Sequence, residues 1–203
     1  MKLDLHTHVF EEFLPVSPIT ITIRSVERIV EKIKKMGLDG IAVTEHDTKS
    51  YGYRVKEIVE THFNNEVLII PGRELHSASI HFVELDLPCN GITTFRFLAH
   101  PDYPGDPINH LYDSNGIEID TALYPWDINQ LHGFDGIEID NALHHWHIDQ
   151  GKVKDIAAKY NLLLLANSDA HYLDDIGKRY NEISLEDLCQ RGHPPNLPPP
   201  LPI

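Results

Sequence analysis

Cysteine is scarce in this chain. Only Cys89 and Cys189 occur among 203 residues, and they lie far apart. Neither belongs to a CxxC motif, so the sequence gives no support to a thiolate zinc site or to a disulfide framework. We therefore predict two ordinary reduced thiols.

Positive charge and long hydrophobic runs are also scarce. Lys and Arg total 17 against 31 Asp and Glu, and the resulting formal net charge of −14 disfavours binding to duplex nucleic acid. A small anionic substrate remains compatible with a pocket centred on metal ions. No run approaches the length of a membrane span, and the opening MKLDLH lacks the apolar region of a signal peptide. We expect one cytoplasmic domain that contacts no membrane; the sequence does not predict its oligomeric state.

Histidine, by contrast, is abundant, and much of it follows apolar, strand-like runs together with carboxylates. Five segments of the 14-histidine chain have this composition: DLHTH (4–8), TEHD (44–47), GRELH (72–76), LAHP (98–101) and NSDAH (167–171). One HxH pair arises easily by chance, but five recurrences after strand-like runs do not. His6 and His8 lie two residues apart, so they face the same side of an extended segment. The pattern predicts a metal site assembled from the ends of several strands.

Strand-like and helix-like segments alternate along the chain. Apolar runs predict strands at 2–5, 40–43, 67–70, 80–85, 95–99 and 162–166. Helical spacing predicts helices at 25–36, 53–63 and 148–160, with Ser25 as a possible N-cap of the first. This order predicts a parallel sheet covered by helices. A closed barrel is preferred over an open doubly wound sheet, because the strand ends of a barrel converge on one face.

Three segments stand outside this alternation. Residues 116–123 (GIEIDTAL) and 136–143 (GIEIDNAL) differ at one position, and two copies indicate a local duplication, since a solenoid generally needs three or more. Residues 101–107 are rich in Pro, Gly and Asp and predict an irregular loop. Six of the last ten residues are proline. We predict a domain over 1–188 and a proline-rich tail over 189–203, with a proline-motif ligand as the alternative.

The ordered motifs DLHTH, TEHD, GRE, IHF, AHP and SDAH resemble those of the PHP (polymerase and histidinol phosphatase) superfamily over about residues 1–185. The segments FDGIEIDNA and SDAHYLDDIGKRYNEI are similar to the PHP-associated C-terminal region of stand-alone members. The resemblance implies a single-domain α/β fold, a distorted (β/α)7 TIM-like barrel. It also implies two or three divalent metal ions and phosphoester hydrolysis.

The resemblance also implies a ligand for each motif. One ion would be held by the side chains of His6, His8, Glu74 and Asp169. A second would be held by Glu74, His81 and His100, so that Glu74 bridges the two ions. A third would use His46 and His171. This chain departs from the family after HTH, where the third ion would have to be held by Glu11 or Glu12. Glu45 replaces the Asp that usually precedes the second-motif histidine.

These residue types suit the implied chemistry. Imidazole nitrogens and carboxylate oxygens favour zinc, manganese or iron without choosing among them. Two such ions can generate a hydroxide near neutral pH and stabilise the oxygens of an in-line displacement at phosphorus. We predict direct roles in that reaction for Glu74, Asp169, His171 and His46. Cations beside these segments are candidates to bind the substrate phosphate: Arg73, Lys178 and Arg179.

Other residues of the same types have simpler interpretations. We expect surface or loop positions for four histidines, although HHWH can lean over the pocket: His76, His144, His145 and His147. Trp146 is expected to pack rather than to stack on a base.

The leading hypothesis is a metal-dependent phosphoesterase that acts on a small phosphorylated metabolite, nucleotide or short oligonucleotide. One alternative is a non-catalytic module that binds metal or phosphate for a partner. The other is an amidohydrolase-like hydrolase, because a binuclear barrel site can polarise a carbonyl as well as a phosphoryl group.

Overall fold

The strands of this protein form one continuous, curved sheet. The structure, a computed structural model, describes residues 1–10, 17–77, 80–101 and 133–195. Its strands are β1 (Lys2–Asp4), β2 (Gly40–Val43), β3 (Leu68–Ser77), β4 (Ile80–Cys89), β5 (Gly91–Leu98), β6 (Gly136–Asn141), β7 (Leu163–Asn167) and β8 (Asn181–Glu182). Within the described ranges they form an eight-stranded sheet in the order β7-β6-β5-β4-β3-β2-β1-β8.

The side chain of Asn181 joins the two ends of this sheet. Asn181 lies in β8, beside β1, yet its Nδ2 donates to the Ala166 carbonyl at 3.0 Å and to Asn167 Oδ1 at 2.8 Å, both in β7. The amide nitrogen of Ala166 donates back to Asn181 Oδ1 at 2.9 Å. A side-chain amide can both donate and accept hydrogen bonds. The Asn181 side chain therefore makes the hydrogen bonds between β8 and β7 that backbone groups make elsewhere in the sheet. The sheet curls into a nearly closed barrel, and the predicted α/β barrel fold is confirmed.

The directions of the strands differ from the expected parallel sheet. β1, β2 and β3 run parallel, as do β5, β6 and β7, but β4 is antiparallel to both β3 and β5. β8 is also antiparallel to β1. The expectation of an all-parallel sheet was wrong because β4 and β5 are joined by a turn with no crossover helix, and such a connection produces antiparallel strands.

The helices cover the outside of the barrel. They are α1 (Ile23–Lys35), α2 (Ser50–His62), α3 (Gln150–Tyr160) and α4 (Leu185–Arg191). The N-cap of α1 is Thr22, not Ser25 as expected. Thr22 and Ser25 form a reciprocal capping box that satisfies the free amides of the first turn.

Apolar side chains fill the barrel and the space between the sheet and the helices. Val83, Leu85 and Phe95 belong to the inner cluster, and Leu188 of α4 packs with it. A second cluster joins α1 and α2 to the sheet, and a third joins α3 to β4, β5 and β6. Alternating residues of each strand thus face the interior or the helices.

The two cysteines form a disulfide, contrary to the expectation of reduced thiols. Cys89 at the end of β4 is bonded to Cys189 in α4, with 5.9 Å between their Cα atoms. Their distance in sequence concealed the pairing, because only the fold brings α4 against β4. The bond fixes α4 to the barrel.

Several sequence features fall partly or wholly outside the described residues. Glu12, the loop beyond Pro101 and the first GIEID copy lie outside them. The expected boundary between 188 and 189 falls inside α4, and His193 pairs with Thr94 of β5. Residues 196–203 lie outside, so the proline-rich tail stays a prediction. None of the helices in the described ranges has both the length and the apolar character needed to cross a bilayer.

A buried charge network lies on the outer side of β4. Glu84 accepts hydrogen bonds from Arg73 at 2.9 Å and from Arg96 at 2.8 Å, and Lys49 Nζ lies 2.7 Å from the same carboxylate. Burial disfavours the charged carboxylate, but the hydrogen bonds from Lys49 and Arg96 outweigh it and lower the pKa of Glu84 from 4.5 to about 2. Glu84 therefore stays ionised at neutral pH.

Replacing this carboxylate tests the network. We expect Glu84→Gln to lower the free energy of unfolding at pH 7 by about 3 kcal/mol, because it removes a buried carboxylate that pairs with the buried Arg96. Since the folded pKa is depressed, the contribution exists above pH 4.5 and is lost as the pH falls toward 2. Urea unfolding at several pH values measures it. Glu27→Gln, on the exposed face of α1, is the control, and equal stability of the two variants at pH 7 would contradict the account.

Breaking the disulfide tests the attachment of α4. The bond closes a loop with a sequence separation of 100 residues, so its loss should lower the free energy of unfolding by about 3 to 5 kcal/mol. Cys89→Ser, Cys189→Ser and the double variant should lose the same amount, because each change removes the same bond. Thermal unfolding with and without reductant measures this. A wild-type midpoint that does not respond to reductant would oppose it.

Candidate metal centre

Segments that follow four parallel strands are tied together at one end of the barrel. The Asp169 amide donates to the His6 carbonyl at 2.9 Å, and the Glu74 amide donates to the Thr44 carbonyl at 3.0 Å. The Thr44 amide in turn donates to the Thr7 carbonyl at 2.9 Å. The ladder of the sheet therefore continues past the strands into the motif segments. As predicted, it brings together residues from both ends of the sequence.

Glu74 lies at the centre of this cluster and faces histidines with both of its oxygens. Oε1 lies 3.0 Å from His100 Nε2 and 3.2 Å from His81 Nδ1. Oε2 lies 3.2 Å from His8 Nε2 and 3.4 Å from His46 Nδ1. The carboxylate thus divides the histidines into two groups, which is the arrangement expected for a bridging ligand.

Asp169 closes the cluster from the opposite side. Its Oδ1 lies 3.5 Å from His6 Nε2 and 3.4 Å from His8 Nε2, and these two nitrogens are 3.1 Å apart. Oδ2 faces His100 Nε2 at 3.9 Å and His144 Nε2 at 3.6 Å. Both oxygens of Asp169, like those of Glu74, therefore face pairs of ring nitrogens.

Glu138 orients His6 from beneath the cluster. Its Oε1 accepts a hydrogen bond from His6 Nδ1 at 3.1 Å, and its Oε2 accepts from the His100 amide at 2.7 Å. Because Nδ1 must carry the proton in this contact, Nε2 is the nitrogen left to bind an ion. A carboxylate behind a ligating histidine is a common feature of metal sites.

The buried carboxylates and imidazoles determine one another's charge. Burial opposes ionisation of Glu74, but His6 and hydrogen bonds from His100 keep its pKa well below the usual value. Burial also opposes protonation of His6, yet Asp169, Glu138 and Glu74 raise its pKa well above the usual value. Burial and the nearby His6 lower the pKa of His8. The ionised carboxylates of the cluster therefore need positive charge between them.

Two residues of the centre have a left-handed backbone conformation. His100 has a φ of 25° and Asp169 a φ of 52°, although neither is glycine. Such conformations cost about 1 to 3 kcal/mol each and persist where the surrounding structure imposes them. In both segments the chain turns sharply after a strand, which directs the side chain back over the barrel.

His46 and His171 lie at the rim of the cluster. Their rings are 4.6 Å and 4.7 Å from the ring of His8, and their side chains are 42% and 28% exposed. His171 Nδ1 bonds to the Asp169 carbonyl at 2.9 Å, so its Nε2 is the basic nitrogen. Glu45 Oε2 lies 4.0 Å from His8 Nδ1, and Glu45 Oε1 accepts a hydrogen bond from the Phe10 amide. The structure brings both rim histidines to the site; Glu12 lies outside the described residues.

The predicted phosphate-binding cations pair with acidic side chains. Arg73 precedes Glu74 in an extended strand, so its side chain points to the opposite face, where it pairs with Glu84. Arg179 pairs with Asp140 at 2.6 Å, and Lys178 pairs with Asp175.

Glu138 and Asn141 were not predicted as site residues, whereas His144, expected at a surface or loop position that can lean over the pocket, lies 3.6 Å from Asp169. Glu138 and Asn141 belong to the second GIEID copy, and a register shift in β6 places both on the inner side although they are three positions apart. Asn141 Nδ2 donates to Glu138 Oε2 at 2.9 Å. The sequence signal for Glu138 was a glutamate inside a buried-type strand. The duplicated segment offered a competing explanation for that strand.

The donor set suits a divalent metal ion. Asp169 Oδ1 is buried and accepts no hydrogen bond within the described part of the chain, although it faces the Nε2 atoms of His6 and His8. The possible ligand groups are His6, His8 and Asp169; His6, Glu74 and His100; His8, His46 and Glu74; and His100, His144 and Asp169. Imidazole and carboxylate without thiolate is a set that zinc, manganese and iron accept.

Comparison with known proteins agrees with this geometry. A family model described as PHP-associated matches residues 147–191. The predicted resemblance to the PHP superfamily is confirmed. That match covers α3, β7, the SDAH segment with Asp169, and all of α4.

Two crystal structures have the same fold as this chain. One is of a proposed metal-dependent phosphoesterase from Bifidobacterium adolescentis, with a TM-score of 0.63, 15% identity, and coverage of 95% of this chain and 97% of that chain. The other is of PsfC from Pseudomonas syringae PB-5123, with a TM-score of 0.56, 17% identity, and coverage of 95% and 88%. A search of curated proteins by sequence finds no match.

The role of Glu138 can be tested by metal binding. Glu138→Gln keeps the shape of the side chain but weakens its hold on His6 Nδ1, so we expect metal affinity to fall about 10- to 100-fold. Competition with a chromophoric chelator measures it, and circular dichroism checks the fold. Glu31→Gln, on the exposed side of α1, should bind as the wild type does. Wild-type affinity in Glu138→Gln would show that His6 does not depend on Glu138.

Proposed function

We propose that this protein is a metal-dependent phosphoesterase acting on a small phosphorylated metabolite, nucleotide or short oligonucleotide. One observation supports this above the others. The two oxygens of the buried Glu74 face separate pairs of nitrogens, His8 and His46 on one side, His81 and His100 on the other. A shared carboxylate between two ligand groups is the framework of a binuclear hydrolytic site.

Two divalent ions bound at this framework would act as Lewis acids and stabilise charge on the attacking and leaving oxygens of a phosphoryl transfer. Zinc, manganese and iron are the candidates, and a third ion at His46 and His171 is part of the proposal. The side chains of Glu74 and Asp169 are buried, whereas those of His46 and His171 are 42% and 28% exposed, so a substrate would enter beside these two histidines.

The rim histidines are also candidates for proton transfer. His171 Nδ1 donates a hydrogen bond to the Asp169 carbonyl, so when no third ion occupies His171 Nε2, that nitrogen can accept or deliver a proton at the mouth of the site. A general acid at this position would protonate the leaving oxygen of the ester. Asp169 then has two roles, since its side chain faces the centre while its carbonyl fixes the tautomer of His171.

The substrate class follows from charge. The chain has a formal net charge of −14, so a long polyanion such as duplex nucleic acid would be repelled over most of the surface. Arg73 and Arg179 are paired with acids, which leaves the ions as the chief attraction for a phosphate. A short substrate that needs few contacts beyond the metal centre fits these constraints best.

The cellular compartment is a separate part of the proposal. The expected cytoplasmic location stays a prediction, whereas the Cys89–Cys189 bond is of the kind that persists in oxidising compartments. Counting free thiols in protein isolated from its source, under denaturing and alkylating conditions, distinguishes the two. Two free thiols agree with the cytoplasm, and none indicates an oxidising environment.

The proposed activity is tested by release of phosphate from monoesters and nucleotides and by release of mononucleotides from short oligonucleotides. Wild-type protein loaded with manganese or zinc is assayed on phosphomonoesters, nucleotides and short oligonucleotides, beside Glu74→Gln and the surface control Glu31→Gln. We expect release that requires metal and falls roughly 100-fold or more in Glu74→Gln, because losing a direct ligand should cost at least as much as losing a residue behind one. Glu31→Gln should match the wild type.

Failure of this test has a defined meaning. A folded, metal-loaded wild type that releases neither phosphate from the monoesters and nucleotides nor mononucleotides from the oligonucleotides would contradict the phosphoesterase. Hydrolysis of amide or lactone substrates by the same protein would then favour the amidohydrolase-like alternative, since the centre can also polarise a carbonyl. Metal binding with neither activity would favour the non-catalytic binding module.

A further inference from the structure

The turn that follows β6 is held in place by Asn141. Asn141 Oδ1 accepts hydrogen bonds from the amides of Leu143 at 3.0 Å and His144 at 2.9 Å. Its Nδ2 donates to Asp169 Oδ2 at 3.3 Å and to Glu138 Oε2 at 2.9 Å. One buried side chain therefore positions both the backbone of His144 and the carboxylate of Asp169. The turn is built against the metal centre.

This turn places the imidazole of His144 beside the centre. The rings of His144 and His100 are 4.7 Å apart, and His144 Nε2 lies 3.6 Å from Asp169 Oδ2. The ligand atoms of His100, His144 and Asp169 lie within 4.8 Å of one another. The His144 side chain is only 18% exposed, whereas the next residue, His145, is exposed. Neighbouring histidines of the HHWH segment thus have different environments.

His144 cannot define a separate ion position. The nitrogen of His100 that faces Asp169 Oδ2, at 3.9 Å, is Nε2, and the same nitrogen lies 3.0 Å from Glu74 Oε1, on the side where the second ion is expected. One imidazole nitrogen binds one ion, so the groups that meet at His100 Nε2 must share the same ion. These groups are Glu74 Oε1, Asp169 Oδ2 and His144 Nε2.

We propose that His144 is a further ligand of the ion held by Glu74 and His100, and that Asp169 Oδ2 binds the same ion. The proposal rests on the metal centre of the proposed function but not on its reaction. It makes Asp169 a second bridging carboxylate beside Glu74, with Oδ1 toward His6 and His8 and Oδ2 toward His100 and His144. It also assigns a role to the turn after β6, which Asn141 keeps in place.

The chemical consequence concerns the more open of the two ion positions. Glu74, His81 and His100 supply three protein ligands, the number typical of catalytic zinc sites with an open position. His144 and Asp169 Oδ2 would raise that number and hold the ion more tightly. The additional imidazole favours zinc or iron over a hard ion such as magnesium at this position.

Adjacent histidines provide a matched pair of variants. His144→Gln and His145→Gln make the same chemical change one residue apart, at a partly buried and at an exposed position. Each variant and the wild type is dialysed against buffers of fixed free Zn²⁺, and bound zinc per chain is measured by mass spectrometry. We expect His144→Gln to bind its weaker zinc ion at least about tenfold less tightly, with the tighter ion retained. His145→Gln should match the wild type.

Folding is checked separately, by circular dichroism and thermal unfolding in excess Zn²⁺. A second variant, His144→Cys, supplies a different zinc ligand at the same place and should bind the weaker ion better than His144→Gln does. Equal zinc binding by folded His144→Gln and the wild type would overturn the proposal. An equal loss in His145→Gln would do so too, because a general effect on the turn would then explain the result.

These results are distinguishable from failure of the proposed function. If His144→Gln loses its weaker zinc ion while the wild type hydrolyses no phosphoester, the ligand assignment stands and the reaction does not. If the wild type is an active phosphoesterase and His144→Gln binds zinc normally, the reaction stands and the ligand assignment does not.

Discussion

The buried carboxylate of Glu74 is the constraint on which the rest of the site depends. An ionised carboxylate is costly to bury unless positive charge and hydrogen bonds surround it. Here the surrounding groups are ring nitrogens from four different segments, His8, His46, His81 and His100. Each of these imidazoles belongs to a segment that the barrel holds in place. The ionised state of Glu74 therefore depends on the fold that positions them.

The barrel brings these segments together by continuing its hydrogen bonds beyond its strands. Thr7 pairs with Ala170, and His46 pairs with Glu74, as isolated bridges past the strand ends. At the seam, Asn181 joins β8 to β7 by its side chain. A site assembled from both ends of the chain is therefore held by backbone geometry. The final orientation of the His6 ring is set by the side chain of Glu138.

Much of the site could be predicted from sequence because ligands follow strands. The apolar run before DLHTH or NSDAH indicates a strand, and parallel strands bring their carboxyl ends to one edge. The direction of β4 could not be predicted, because an apolar run has no direction. Nor could the disulfide, since Cys89 and Cys189 meet only once α4 packs against β4. Glu138 and Asn141 lie on one side only because β6 contains a register shift, which the sequence pattern does not reveal.

Anomalous diffraction tests most directly whether two ions share Glu74. Crystals grown with Mn²⁺ are measured above and below the manganese edge, and the anomalous difference map shows each ion. The account predicts two peaks on either side of the Glu74 carboxylate, about 3.5 to 4 Å apart. One peak adjoins His6 and His8, and the other adjoins His100. A single peak, or two peaks that do not contact Glu74, would contradict the account.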